Sequence, residues 1–132
     1  MQFIVLAGRF FYSLIFLFAA LGHFSQPTIA YAASQGVPMA NVLVPLSGIM
    51  ALVGGLSILL GYKSRWGAVL IIMFLIPVTI AMHNFWAVTD PMMKQIQMIM
   101  FLKNVSMLGT ALMILHFGTG PLSLEKDKGV RS

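Results

Sequence analysis

Lys103 and Arg9 each interrupt a long apolar run, and so are the residues most in need of a reason. A charged side chain at mid-membrane costs about 2.5–3.5 kcal/mol on the insertion scale, so such a residue marks function unless it reaches the headgroups. Arg9 lies about 7 Å from the end of its run and can snorkel there, which leaves it readable as an anchor or as a functional group. Lys103 lies about 12 Å along a run that begins near Gln95. The chain's carboxylates, Asp90, Glu125 and Asp127, all fall outside the runs. The amine must therefore meet a neutral protein group, Asp90 of a dipping loop, a lipid phosphate, or an incoming anionic or carbonyl-bearing ligand.

The histidines separate by depth. His116 sits near one membrane boundary and reads as solvated, whereas His23 and His83 both fall at the opposite end. Thr79 lies one helical turn below His83, Asn84 follows it, and Trp86 can stack on a planar ligand. Together His23, His83, Asn84, Trp86, Gln97, Lys103 and Asn104 converge on one half of a bundle, with Arg9 toward the other end. An amine and an imidazole sharing one pocket would offer a planar carbonyl compound, such as a quinone, an aromatic face, hydrogen-bond donors and exchangeable protons. Two histidines at matching depth also suit haem, but no other sequence feature supports it. Metal-ligand spacings, a nucleophilic triad and a phosphate-cradling glycine loop are absent. The lack of cysteine removes thiol chemistry and cysteine-ligated zinc or iron–sulfur sites.

These residues must be positioned by apolar elements. Of 132 residues, 59% are hydrophobic and 8% charged, against about 25% charged for a soluble domain. Four stretches, 4–21, 42–60, 66–82 and 96–117, approach the ~20 residues that cross a bilayer core. Backbone groups in lipid must pair within their own segment, so the stretches are helices, and no period-2 alternation suggests a barrel. The fold class is thus all-α, an antiparallel bundle of four transmembrane helices forming a single domain over 1–132, with a tail from 118. The first run, followed by Ala30-Tyr31-Ala32, also resembles a signal peptide with its cleavage site. Against that reading, residues 3–8 are mostly apolar and the stretch 22–32 is long for a cleavage region.

The net charge of +5 does not form a solvated stripe, which excludes a nucleic-acid surface. Lys63, Arg65, Lys126, Lys128 and Arg131 fall on one side of the membrane and Lys94 on the other. The positive-inside rule then puts both termini in the cytoplasm. Connection 22–41 carries no charge and has room for a short helix on the outer surface, while 61–65 is a tight turn between neighbours. In the second span Ser47, Ala51 and Gly55 recur every four residues beside Gly48 and Gly54, a face for close helix approach. Pro77 removes a backbone bond in the third span. Eleven methionines read as soft filler or as a ligand-adaptable groove. The last span carries two polar stripes about 100° apart, Lys103 with Ser106 and Thr110, and Asn104 with Gln97. Both face protein only if that helix has two neighbours; at the periphery, one must meet a partner or a lipid head.

The chain resembles the bacterial DoxX family over nearly all its length. The likeness lies in the arginine-bearing first helix, Gly36-Val37-Pro38, Gly54-Gly55-Leu56 and Gly61-Tyr62-Lys63-Ser64-Arg65. It is most specific from His83-Asn84-Phe85-Trp86 and Asp90-Pro91 to Gln97-Met98-Ile99 and Phe101-Leu102-Lys103-Asn104, and it ends with Gly118-Thr119-Gly120 and Ser123-Leu124. The resemblance implies a four-helix inner-membrane protein and, loosely, an oxidoreductase association. The related DoxD type is a subunit of a thiosulfate:quinone oxidoreductase, and family members are often labelled as quinol-oxidase or redox-complex components. One departure stands out: Ala51 occupies the position where the family often has a glutamate.

The leading expectation is a membrane subunit of a redox complex that holds a quinone-like molecule near the outer leaflet. Electrons would come from a partner redox protein, and homo-oligomerisation is a further option for the partner. The competing expectations are a non-enzymatic scaffold for a protein or lipid head, and a small-solute transporter.

Overall fold

The computed structural model describes residues 1–118 and 120–124. Among these, the chain forms α1 (Gln2–Gly22), α2 (Gln26–Ser34), α3 (Ala40–Leu60), α4 (Ser64–Met82), a 3-10 turn at Phe85–Ala87, and α5 (Pro91–Phe117), with no strand. Four of the helices are long and apolar enough to cross a membrane. Most of their large apolar side chains are exposed, as lipid-facing surfaces require. The short α2 lies in the first connection, where the sequence had room for it. The tail beyond Leu124 falls outside the described residues.

Chain reversals follow from local chemistry. α3 stops at Gly61, whose φ of 68° is left-handed. The Tyr62 amide returns to the Ser57 carbonyl and that of Gly61 to Ile58, a Schellman closure that satisfies two terminal carbonyls. α5 begins at Pro91, several residues before the expected start of the span, because the Asp90 carboxylate accepts the Met93 amide at 3.4 Å and the proline occupies the first turn. At about 40 Å the 27-residue α5 is longer than a bilayer core.

Small residues set the packing order. A Cβ on Gly48 would lie 2.8 Å from His23 Cβ, and one on Gly55 would lie 3.2 Å from Phe16 Cβ, so this face of α3 admits α1. The other face meets α4 at Gly54, where a Cβ would lie 2.9 Å from Ile71. α4 then carries α5, and Tyr12 of α1 closes the circuit by donating to the Met107 carbonyl of α5 at 2.7 Å. The core comprises Phe16, Ala20, Ala51, Ile58, Ile71, Phe74, Leu75 and Ala111. Ala51 is fully buried within it.

Because α5 rests chiefly on α4, it is a peripheral helix. Only one of its polar stripes turns inward: Asn104 is buried, while Lys103 and Ser106 are exposed.

Candidate functional site

Between α3 and α4, at the end covered by α2, lies a cavity of about 270 Å³. Met50, Met73, Met82, Phe74 and Val78 form much of its wall, and Ala32 and Val37 roof it. Its polar side chains are His23 and Ser47. Leu43, Leu46 and Met73 line it and are also exposed, so it opens sideways toward the acyl chains. The size is near the lower end of small-molecule sites, about 300–1,000 Å³. That suits a ring whose apolar substituent leaves through the opening.

The histidine is placed by three neighbours. It follows the last residue of α1, and Gly48 lets that end lie directly on α3. The Ser47 hydroxyl donates to the Val44 carbonyl at 2.6 Å, so its lone pair accepts from His23 Nδ1 at 2.8 Å. Nδ1 therefore carries the proton, and Nε2 presents a lone pair. Burial pushes His23 below its ordinary value of 6.5, an effect partly offset by the Val44 carbonyl, so the ring is neutral at pH 7. Its face tilts on Phe74 with centroids 5.3 Å apart, extending a row of rings through Phe16 and Tyr12.

The second polar group at this end of the bundle is separate. His83 Nδ1 pairs with Gln97 Oε1 at 2.8 Å, tying the end of α4 to α5. Trp86 packs edge-on against Phe85 and Phe101, with centroids 5.4 and 5.9 Å away, and remains exposed as an interfacial anchor would. Asn84 precedes the 3-10 turn, and its carbonyl accepts the Ala87 amide.

Lys103 does not join this group. It is exposed, and its amine contacts Met100 Sδ at 3.4 Å, one turn back along α5. The expected pocket shared by amine and imidazole is not formed. The reason is angular: Lys103 lies 100° around the helix from buried Asn104, and α5 has one principal neighbour. The lysine's contact is with a neutral protein group, one of the partners its isolation allowed.

Arg9 belongs to the opposite end. It is 6% exposed, and its guanidinium donates to the Leu122 carbonyl and packs on Gly61, which Ser123 also approaches. The Leu124 amide pairs with the Leu60 carbonyl at 3.0 Å, and Arg65 donates to the His116 carbonyl at 3.3 Å. Arg9 thus fastens the C-terminal segment beneath the α3–α4 turn, far from the cavity.

Sequence reasoning missed the His23–Ser47 pair because Ser47 sits in a small-residue stripe that packing alone explains. Two signals pointed to it: a histidine ending the first span, and the methionine excess, three of which line the cavity.

A profile of the DoxX family matches residues 4–84, which spans α1 through α4 and ends at Asn84. The sequence motifs from Phe85 onward lie beyond that match. Inner membrane protein YphA of Escherichia coli K12 is 32% identical over 99 residues, covering 75% of this chain and 70% of the relative. Inner membrane protein YqjF of the same organism is 27% identical over 124 residues, covering 92% and 89%. No solved structure matches. With four apolar spans and a family match over more than half its length, the chain belongs to the DoxX family and is an integral, multi-pass inner-membrane protein.

Proposed function

We propose that this protein is the membrane subunit of a redox complex and holds a quinol or quinone head in the cavity between α3 and α4. The supporting observation is an apolar chamber, open to the acyl chains, whose polar side chains are one neutral imidazole and the serine that orients it. A ring hydroxyl would donate to His23 Nε2, and Phe74 and the methionines would hold the ring. Oxidation of a quinol releases two electrons and two protons: neutral His23 can take the proton of the hydroxyl it holds, and the partner's acceptor takes the two electrons with the second proton. The electrons pass to a partner redox protein, since a cysteine-free chain supplies no iron–sulfur ligands of its own. The outward stripe of Lys103 and Ser106 on α5 offers such a partner a face. The bias of Lys63 and Arg65 over Lys94 supports a reading with both termini in the cytoplasm and, with them, the cavity on the outer-leaflet side.

The test is quinone retained by protein purified in mild detergent, measured after solvent extraction. Wild type and Lys103→Met should retain equal amounts, while Met50→Trp, which intrudes into the cavity from its wall, should lose most of it. Retention unchanged by Met50→Trp in a folded protein, or lost with Lys103→Met, would overturn the assignment.

A further inference from the structure

A second hollow, of about 360 Å³, lies between α3 and α4 at the opposite end, beside the α3–α4 turn. Its walls include Leu56, Leu60 and Leu70, and its mouth is formed by Tyr62, Lys63 and Trp66. The hollow is built by close packing below it. A Cβ on Gly67 would lie 2.5 Å from Ser57 Oγ, so α4 meets α3 at that point through a glycine. The Ser57 hydroxyl bonds the carbonyls of Tyr62 at 2.6 Å and Lys63 at 3.1 Å, which holds the turn with Lys63 exposed at the rim.

The chemistry of the rim is one-sided. Lys63 Nζ stands 5.6 Å from the Tyr62 ring centroid, and Trp66, in the first turn of α4, is 72% exposed. Arg65 adds a second cation nearby, turned toward the His116 carbonyl. Asp90, the one carboxylate among the described residues, is at the other end of the bundle. A basic rim above an apolar groove between transmembrane helices matches a lipid with a negative head and hydrocarbon tails, and Trp and Tyr favour the same depth.

We propose that this groove binds an anionic phospholipid of the leaflet on the terminal side, with its phosphate at Lys63 and its acyl chains along Leu56, Leu60 and Leu70. A zwitterionic lipid fits the walls equally well but brings a cationic group to the same rim. Selectivity therefore resides in Lys63, and residence in the groove. The site is independent of the quinone cavity, which faces the other leaflet.

Tryptophan quenching by brominated lipid reads the site directly. In a Trp86→Phe background, Trp66 is the sole tryptophan. In nanodiscs, brominated phosphatidylglycerol should quench it about fivefold more effectively than brominated phosphatidylcholine at equal mole fraction, the worth of one cation near an anionic lipid surface. Lys63→Gln should erase that preference, and Lys94→Gln, at the other end, should keep it. Val53→Phe, which narrows the groove from an exposed position without changing charge, should also erase it. Equal quenching by both lipids in the Trp86→Phe protein would overturn the proposal. A preference that survives Val53→Phe would do so as well, by revealing a diffuse counter-charge layer.

Discussion

Ser47→Ala is the most informative single change, because it removes one hydroxyl that both accepts from His23 and donates to Val44. Interhelical hydrogen bonds in membranes contribute about 0.6 kcal/mol on average and up to ~1.7 kcal/mol. Here the loss also leaves the part-buried imidazole with the Val44 carbonyl as its remaining acceptor, which moves the effect toward the upper end, since a poorly satisfied donor adds to the cost. Destabilisation of about 1–2 kcal/mol is expected. His23→Phe keeps a ring against Phe74 and removes the same bond from the other side. A double-mutant cycle of the two, followed by reversible unfolding in mixed micelles, should give a coupling of about 1 kcal/mol, or roughly fivefold in the unfolding equilibrium. The same cycle read by quinone retention should show each single variant losing binding and the double variant losing little more. Additivity within about 0.3 kcal/mol would refute the claim that the two side chains act as a unit.

Two glycines on different helices should respond oppositely. Gly54→Ala places a methyl 2.9 Å from Ile71 and 3.0 Å from the Gly67 carbonyl, and should lower stability by about 1–3 kcal/mol in the same unfolding assay, whereas Gly109→Ala, with nothing within 4 Å, should be neutral or slightly stabilising. The depressed His23 value makes stability depend on pH: below 6.5 the unfolded ring binds a proton that the folded ring does not, so stability is full above 6.5 and falls as pH drops through the folded value. Melting temperatures measured between about pH 7.5 and pH 5 should show that fall in wild type and a smaller one in His23→Phe.

How much of this was legible in the sequence depended on whether one helix sufficed to decide it. Hydropathy set the four spans, since lipid forces each segment to satisfy its own backbone. The turn at Gly61 and the helix in the first connection were legible for similarly local reasons. The start of α5 was not, because Asp90 and Pro91 begin the helix ahead of its apolar run, where a cap rather than hydropathy carries the signal. The polar stripes of α5 were correctly seen as incompatible with a single neighbour. Which stripe turns inward is set by α4, and no pattern within α5 encodes that choice. Lys103 and His83 therefore looked like companions by depth, although depth without azimuth does not make a pocket. Ser47 failed in the opposite way: its spacing from Ala51 and Gly55 explained packing so well that its hydroxyl drew no attention.

The bond from Arg9 to the Leu122 carbonyl joins positions 113 apart in sequence. At about 5–20 residues per second, a ribosome needs roughly 6–23 s to make that stretch. The first helix must therefore wait for its partner, its guanidinium held among lipid heads, until the chain has been made through Leu122. Closure at that end consequently comes after all four long helices have been made. A reporter fused directly after Leu124 would interfere with it, while the same reporter on a long flexible spacer would not.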